Sequence, residues 1–215
     1  MTQGTRRLYF GYGSNLWLEQ MALRCLGSDF IGIGRLPRYR WMINSRGYAN
    51  VAETNNPQNS TNNNKDEEEA EEVWGLVYAL SEADEKQLDV NEGVPFAYEK
   101  RVLEVECLWE SSDGNGGKKE RTKEMVLVYI DFKRADGEGN LPRAEYVYRM
   151  NMGIGDALRK GVPRGYVDKV LRRWIPEEAH QDKDGESMKV KELARKQAVS
   201  FKDESGVYRG GERTG

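Results

Sequence analysis

The chain has 215 residues, with 33 basic and 36 acidic side chains and a net charge of −3. This length suits one domain with its own core. Only 38% of the residues are hydrophobic and 32% are charged, which predicts that part of the chain lies outside that core. Since there is no basic excess, binding to nucleic acid or to an anionic membrane surface is not expected.

The histidine and cysteine content excludes several chemistries. The single histidine, His180, lies in a polar stretch after Pro176, so triads, Cys-His pairs and histidine-based metal sites are not expected, and no metal is predicted. Cys25 and Cys107 are far apart and are predicted to be buried thiols in a reducing compartment. No apolar run is as long as a membrane span, and the N-terminus lacks the apolar core of a signal peptide. A soluble, cytoplasmic protein is therefore expected.

The first elements in chain order are an aromatic strand at 8–12 and a turn at Gly13-Ser14-Asn15. Asn15 is expected to cap a first helix, and Gly27 is expected to end it. Spacing of i, i+3, i+4 and i+7 predicts the face that this helix buries: Leu18, Met21, Ala22 and Cys25.

The middle of the chain predicts strands at 41–44, 48–53, 73–80, 98–109 and 125–132. The last two form a hairpin around a loop at 112–117, because turn residues separate them. Ser81 and Asp84 have the spacing of a capping box at the start of a short helix. A helix is predicted at 144–160, interrupted by Gly153 and Gly155, and a last one runs from Pro163 to Pro176.

Two segments differ from the rest in composition. Residues 54–72 are Asn-rich and then acidic, which predicts a mobile loop, and residues 177–215 predict a polar tail, with a surface helix at 186–200 as the alternative. One domain is thus expected at 6–176. Mostly antiparallel strands with a few helices indicate the α+β class and not a doubly wound sheet.

Nucleotide-binding motifs are absent. Each of the three Gly-x-Gly steps lacks the last glycine of GxGxxG, since Leu16, Pro37 and Leu158 stand there, and no Walker lysine follows a glycine-rich loop. No cofactor is predicted.

The most distinctive local feature is Tyr12-Gly13-Ser14-Asn15, between a predicted strand and a predicted helix. Backbone N–H groups converge at such a junction, so it can bind a carboxylate, phosphate or oxyanion, and glycine at 11 and 13 lets a ligand approach closely. The alternative is a tight turn without a ligand.

Glu92 lies where a short helix ends, just before Gly93 and Pro95. In an apolar pocket its pKa rises and it can pass a proton in either direction; in water it is an ordinary turn glutamate. A cluster of four arginines follows the first helix and also leaves two interpretations. The cluster consists of Arg35, Arg38, Arg40 and Arg46. One of these arginines can help to bind a substrate carboxylate, or all four can form a solvated face, which is the interpretation we favour.

Taken together, these blocks resemble the gamma-glutamylcyclotransferases of the YGSN type. The matching residues are LYFGYGSNL at 8–16, VWGLVY at 73–78, EGV at 92–94 with Tyr98 beyond, and Tyr146 ahead of Met152-Gly153. The blocks occur in the family's order across residues 7–175. Gly11 stands where alanine is common, and the insertion and tail fall outside the match.

The resemblance implies a compact, mostly antiparallel β-barrel flanked by helices, with a pocket at one barrel end and no metal or cofactor. It implies that Glu92 is the catalytic acid/base. It also implies a set of substrate-binding residues: Tyr9, Phe10, Gly11, Tyr12, Gly13, Ser14, Asn15 and Tyr146. The implied reaction converts a gamma-glutamyl amino acid, amine or glutathione-type conjugate to 5-oxoproline and a free amine. The substrate supplies its own nucleophile, and the YGSN loop argues against the glutathione-specific branch.

Two alternatives remain at this stage. The same scaffold can serve as a catalytically silent binding module, although the presence of Glu92 argues against that, or the acidic loop can bind a protein partner. Either way the expected partner of the pocket is a small molecule, and a monomer or homodimer is expected.

Overall fold

The computed structural model describes residues 6–54, 71–109, 121–135, 139–177 and 186–203. Most of the predicted loop at 54–72, the hairpin loop at 112–117 and His180 lie outside these residues. The strands are β1 (Arg7–Gly11), β2 (Asp29–Pro37), β3 (Tyr39–Ile43), β4 (Ala49–Glu53), β5 (Glu72–Leu80), β6 (Glu99–Trp109) and β7 (Arg121–Ile130). The helices are α1 (Leu18–Arg24), α2 (Glu82–Asn91), α3 (Ala144–Lys160), α4 (Arg164–Lys169) and α5 (Glu186–Val199), with short 3-10 turns at Ser14–Leu16, Phe132–Arg134 and Leu171–Arg173.

Five strands close into a barrel in the order β1-β5-β2-β6-β7, and β3 and β4 pair as a separate ribbon. All barrel pairs are antiparallel except β1 with β7. The expected α+β class and the mostly antiparallel barrel flanked by helices are therefore confirmed. Within the described ranges, no helix is long and apolar enough to cross a bilayer.

Strand β2 was not predicted, although it joins β5 to β6 and so closes the barrel. Its pattern is broken by Gly32 and Gly34, which have no side chain to show alternation. Gly34 is needed for packing: a Cβ there would lie 2.8 Å from Val105 Cγ1 and 3.1 Å from the ring of Phe10. Because Val105 and Phe10 already fill the barrel interior at this point, β2 has glycine there, and the alternating pattern that would have predicted a strand is lost.

The predicted capping box of α2 is present. Ser81 Oγ accepts from the backbone N–H of Asp84 at 3.2 Å, and Asp84 Oδ2 accepts from the N–H of Ser81 at 3.0 Å. The helix ends at Asn91, so Glu92 occupies the C-cap position and Gly93 follows with φ +63°. Because both ends of α2 are defined by local sequence, the position of Glu92 is well determined.

Helix α1 differs from its prediction. It begins at Leu18 with Trp17 as N-cap, and Asn15 lies in the preceding 3-10 turn and caps nothing. It ends at Arg24, before Gly27. The buried face includes Gln20 and Arg24, because this side of the helix meets a polar pocket and α5 instead of a purely apolar core, whereas Ala22 is exposed.

The expected polar tail is wrong for residues 186–203, where the alternative, a helix at 186–200, is present as α5. This helix packs on α1 and α3 and is therefore partly buried, and a short turn follows it. Ala194 and Ala198 are fully buried beside Trp17 and Tyr148, since small side chains allow close approach of the helices. The Arg24 guanidinium donates to the carbonyl of Ala198 at 2.8 Å, which fixes the end of α5.

Smaller corrections concern element ends. The hairpin strand predicted at 125–132 runs from Arg121 to Ile130, and β5 begins at Glu72, inside the predicted loop. The predicted helix from Pro163 ends early at Lys169 and continues as a 3-10 turn. Both thiols, Cys25 and Cys107, are buried and free, as predicted.

Two glycines of α3 should respond in opposite ways to alanine. At Gly153 a Cβ would lie 2.9 Å from both Leu16 Cβ and Trp17 N, so Gly153→Ala should cost about 1–3 kcal/mol of unfolding free energy. At Gly155 the nearest atom would be Arg159 Nη1 at 3.5 Å, so Gly155→Ala should gain up to about 1 kcal/mol from helix propensity. Urea unfolding of the two variants tests this, and an equal effect at both sites would contradict it.

Candidate active site

A pocket of about 460 Å³, including its open mouth, lies where β1 and β7 end and β6 begins. These strand ends meet at one end of the barrel because β1 and β7 are parallel and β6 is antiparallel to β7. The lining side chains are Tyr9, Tyr12, Gly13, Ser14, Asn15, Arg24, Tyr48, Ala49, Asn91, Glu92, Tyr98, Tyr129, Tyr146, Arg149 and Phe201. The mixture of aromatic rings and polar side chains in this lining suits a small polar ligand.

The structure brings most of the predicted site residues to this pocket: Tyr9, Tyr12, Gly13, Ser14, Asn15, Glu92 and Tyr146. Phe10 and Gly11 do not line it, which corrects the sequence prediction for these two. Alternation along β1 points Phe10 into the barrel, where it is fully buried against Gly75, whereas Tyr9 faces the pocket. Gly11 makes room for Asn15 and not for a ligand, since a Cβ there would lie 3.3 Å from Asn15 Cβ.

Asn15 organises the polar side of the pocket through its side-chain amide. Its Nδ2 donates to Tyr9 Oη at 2.7 Å and to Glu92 Oε1 at 3.0 Å. Its Oδ1 accepts from Gln20 Nε2 at 2.7 Å and from Arg24 Nη1 at 3.1 Å. All four hydrogen-bonding positions of the amide are therefore filled, which sets its orientation and holds the glutamate.

Glu92 places a carboxyl group at the pocket surface. The residue is partly buried, but protein surrounds its carboxyl group, and this loss of hydration raises the pKa of Glu92 above its ordinary value. Arg24 and the hydrogen bond from Asn15 oppose the rise without cancelling it. Within the described ranges, Oε2 of Glu92 accepts no hydrogen bond, so this oxygen is left to act on a ligand.

Two backbone N–H groups donate to the Tyr146 hydroxyl oxygen and so leave its O–H free to donate to a ligand. Its Oη accepts from the N–H of Ser14 and from the N–H of Ala49, both at 3.2 Å. Gly13 permits this contact, because a Cβ there would lie 2.8 Å from the same oxygen. Burial raises the pKa of Tyr146 to about 12, so the phenol keeps its proton near neutral pH. With two N–H groups already on its oxygen, Tyr146 has an O–H to offer a ligand.

Two buried arginines give the pocket positive charge. Arg149 is paired with Glu145 through two hydrogen bonds of 2.8 and 3.1 Å. Arg24, by contrast, forms no ion pair within the described part of the chain and donates only to Asn15 Oδ1 and to two backbone carbonyls of 197 and 198. Burial, and then Arg149, lowers the pKa of Arg24 to about 10, so it is still a cation near neutral pH.

Sequence reasoning missed the two pocket arginines, and one of them could have been found. Arg149 follows Tyr146 by three positions on α3, which places both on one helix face. Of the four arginines that the sequence analysis assigned to a solvated face, Arg46 is only 1% exposed and pairs with Asp131 and Asp203. Phe201 had no signal at all, because its segment was assigned to a tail.

No three side chains of histidine, cysteine, aspartate or glutamate come together as metal ligands among the residues described. Among the described lining residues Ser14 has the aliphatic hydroxyl, but its Oγ accepts from Gln20 and from Arg149, each at 3.0 Å. Those two donors lower its electron density, and no base lies against it, so Ser14 is poorly suited to nucleophilic attack.

The fold and the pocket together define the class of protein: an α+β protein with a closed five-stranded barrel and, at one barrel end, a pocket lined by the partly buried Glu92. A family model described as gamma-glutamyl cyclotransferase, AIG2-like, matches residues 9–146. The chain belongs to this family, as the sequence resemblance indicated.

Individual relatives agree with this assignment. The Bos taurus protein named gamma-glutamylcyclotransferase is 31% identical over 98 residues, 42% of this chain and 46% of the bovine one, so the match spans about half of that relative. A solved structure described as gamma-glutamyl cyclotransferase has a TM-score of 0.57 at 22% identity, and an uncharacterised Homo sapiens protein has 0.56 at 23%. Each structural match covers 89% of this chain and 99% of the other, which shows a shared fold.

The raised pKa of Glu92 predicts a pH-dependent stability difference. The folded chain binds this proton more tightly than the unfolded chain, so wild-type stability falls as pH rises from the ordinary pKa through the raised one. Glutamine does not titrate and can still accept from Asn15. Glu92→Gln should therefore gain more unfolding free energy over wild type at about pH 7 than at about pH 4.

Urea unfolding at both pH values measures this difference, and Glu82→Gln is the matched control on the same helix. Glu82 is exposed, and the neighbouring Lys86 lowers the pKa of its carboxyl group, so its replacement should give no gain at neutral pH. A gain at Glu92 that is the same at both pH values would contradict the raised pKa.

Proposed function

We propose that the protein is a gamma-glutamylcyclotransferase: it releases 5-oxoproline and a free amine from a gamma-glutamyl amino acid, amine or glutathione-type conjugate. The observation that carries this proposal is the Glu92 carboxyl group, which lines the pocket and is held by Asn15 through one of its two oxygens. Such a group suits a reaction that needs proton transfer but no protein nucleophile.

The reaction requires one acid/base group because the substrate carries both reacting partners. Glu92 takes a proton from the substrate's alpha-ammonium group. The freed amine attacks the gamma-carbonyl carbon of the same molecule, which forms a C–N bond and closes a five-membered ring. Glu92 returns that proton to the leaving nitrogen as the original amide bond breaks, and the ring nitrogen then passes its second proton, through the same carboxylate, to the released amine, which leaves as an ammonium ion. A carboxyl with a raised pKa suits these transfers, since it is a better base than an ordinary glutamate.

Tyr146 supports the charge that develops during attack. The gamma-carbonyl oxygen becomes an oxyanion, and the O–H of Tyr146 is the donor available to it. The two amides on Tyr146 Oη make that phenol a stronger donor and hold it in place. The backbone N–H of Ser14, part of the junction that the sequence indicated as an anion site, is already bound to Tyr146, so at this position the backbone acts through the phenol.

Arg24 is the proposed partner of the substrate's alpha-carboxylate. It is a buried cation without an ion pair in the described residues, and a buried unpaired charge is costly unless a ligand completes its surroundings. Its position beside Asn15 and Glu92 would hold the carboxylate next to the ammonium that Glu92 deprotonates. The bound glutamyl unit is thereby held in the folded shape required for ring closure.

Purified wild-type protein and Glu92→Gln, each incubated with gamma-glutamyl-alanine, test the proposal by mass spectrometry of 5-oxoproline. We expect release by wild type and a loss of at least about 100-fold in the variant, because general acid/base catalysis contributes that much. Glu82→Gln, on the exposed side of α2, should match wild type. Binding without release by wild type would instead favour the silent binding module.

Replacing Tyr146 by phenylalanine tests the oxyanion donor. The ring stays, and the hydroxyl is lost together with the two hydrogen bonds that it accepts from the N–H groups of Ser14 and Ala49. We expect kcat for 5-oxoproline release to fall by about 10²–10³, with a much smaller change in KM, as for removal of an oxyanion donor. Tyr166→Phe is the control: its buried hydroxyl accepts or donates no side-chain hydrogen bond and it lies outside the pocket. An unchanged kcat in Tyr146→Phe would exclude this role.

A further inference from the structure

The end of α5 and the residues after it lie beside the pocket, and Phe201 is one of the lining residues. We name residues 197–203 the C-terminal strap. Gln197 ties the strap to itself, since its side-chain amide donates to the carbonyl of Lys202 at 2.9 Å and accepts from the N–H of Lys202 at 2.7 Å. The strap is therefore a folded turn with its own hydrogen bonds.

The strap is attached at three points around the pocket. Arg24 donates to the carbonyls of residues 197 and 198, at 2.7 and 2.8 Å. The N–H of Phe201 donates to Asn91 Oδ1 at 3.2 Å, one residue before Glu92. Arg46, which is fully buried, pairs with Asp203 at 3.1 Å. Since Arg24 and Asn91 are themselves pocket residues, the strap is part of the site.

Phe201 lines the pocket and contacts it through both backbone and ring. Its N–H is bound to Asn91, the neighbour of Glu92. Its ring lies edge-on to Tyr48, with centroids 5.0 Å apart, and 5.5 Å from the guanidinium carbon of Arg149. The residue is partly exposed.

Tyr48, whose ring contacts Phe201, has a hydroxyl without a hydrogen-bond partner in the described residues. The residue is 3% exposed and lines the pocket. Its ring lies between those of Tyr146 and Phe201, at 5.2 and 5.0 Å. An orphaned hydroxyl in a binding pocket is a cost that a ligand's polar group can relieve.

We propose that Phe201 determines which leaving groups the enzyme accepts. This inference rests on the proposed function. With the gamma-carbonyl oxygen at Tyr146 and the leaving nitrogen at Glu92, the group beyond that nitrogen extends toward the part of the pocket bordered by Tyr48 and Phe201. Phe201 thus limits the size of the amine, and the Tyr48 hydroxyl meets its polar atoms.

The test compares two substrates with the same glutamyl unit, gamma-glutamyl-alanine and gamma-glutamyl-tryptophan. For wild type and for Phe201→Ala, the release of 5-oxoproline from each substrate gives a kcat/KM, and the ratio of the two values is the preference. Removal of the ring should shift the preference toward the tryptophan compound by about tenfold or more, because cavity size discriminates apolar groups by such factors. A preference within twofold of wild type, or one shifted toward alanine, overturns the proposal.

Two variants separate specificity from folding. Phe201→Leu keeps most of the apolar volume and should retain most of the wild-type preference. Phe132→Ala removes an exposed phenylalanine that contacts Arg101 outside the pocket, and it should change neither preference nor rate. If Phe201→Ala and Phe132→Ala shift the preference alike, Phe201 has no special role.

Binding measurements keep this test independent of turnover. Calorimetry with Glu92→Gln, with and without Phe201→Ala, gives the ratio of the two dissociation constants even if wild type releases no 5-oxoproline. A ratio that moves toward the tryptophan compound supports the role of Phe201, whatever the fate of the proposed reaction. An unmoved ratio, or no binding of either compound, overturns it.

Discussion

The site depends on keeping a carboxyl group out of water without giving it an ion-pair partner in direct contact. Glu92 is bound by the neutral amide of Asn15, and the buried Arg24 lies on the other side of that amide. A direct contact with Arg24 would hold the glutamate firmly ionised and lower its basicity. The intervening amide keeps the favourable field of the cation while leaving desolvation as the dominant influence on the pKa of Glu92.

This arrangement explains why four separate elements must meet at one barrel end. Strand β1 presents Tyr9, the 3-10 turn presents Asn15, α1 presents Gln20 and Arg24, and the end of α2 presents the glutamate. The turn carries the amide, β1 and the end of α2 supply one partner each, and α1 supplies two, so displacement of any of these elements leaves a buried polar group unpaired. Polar networks of this kind position groups accurately because partial satisfaction is costly.

The sequence predicted well those features that depend on residues close together in the chain. Ser81 and Asp84 define the start of α2 by their spacing, and alternation across β6 was visible in Val105 and Cys107. The motif around Asn15 was found, but its side chain was interpreted as a helix cap. Its true partners include Glu92, which is 77 positions away, and no local pattern encodes such a contact.

The residues that were wrongly predicted or overlooked also depend on contacts between distant parts of the chain. Phe10 was assigned to the site with its neighbours in the motif, although alternation along a strand allows only every second side chain to face one pocket. Arg24 was overlooked because the buried face of α1 was assumed to be apolar, whereas that face meets carbonyls of residues 197 and 198. Composition alone assigned those residues to a tail, since their burial depends on two alanines that fit against Trp17.

The C-terminal strap and the charge balance of the pocket are coupled through Arg24. Three of its N–H groups are used, two on the strap and one on Asn15. Displacing the strap would remove two of these three bonds and leave a buried cation poorly solvated, so Arg24 holds the strap in place. An alpha-carboxylate bound at Arg24 would replace the lost partners with a full negative charge. The strap that shapes the leaving-group side of the pocket is therefore held, through one guanidinium, by the same residue proposed to bind the other end of the substrate.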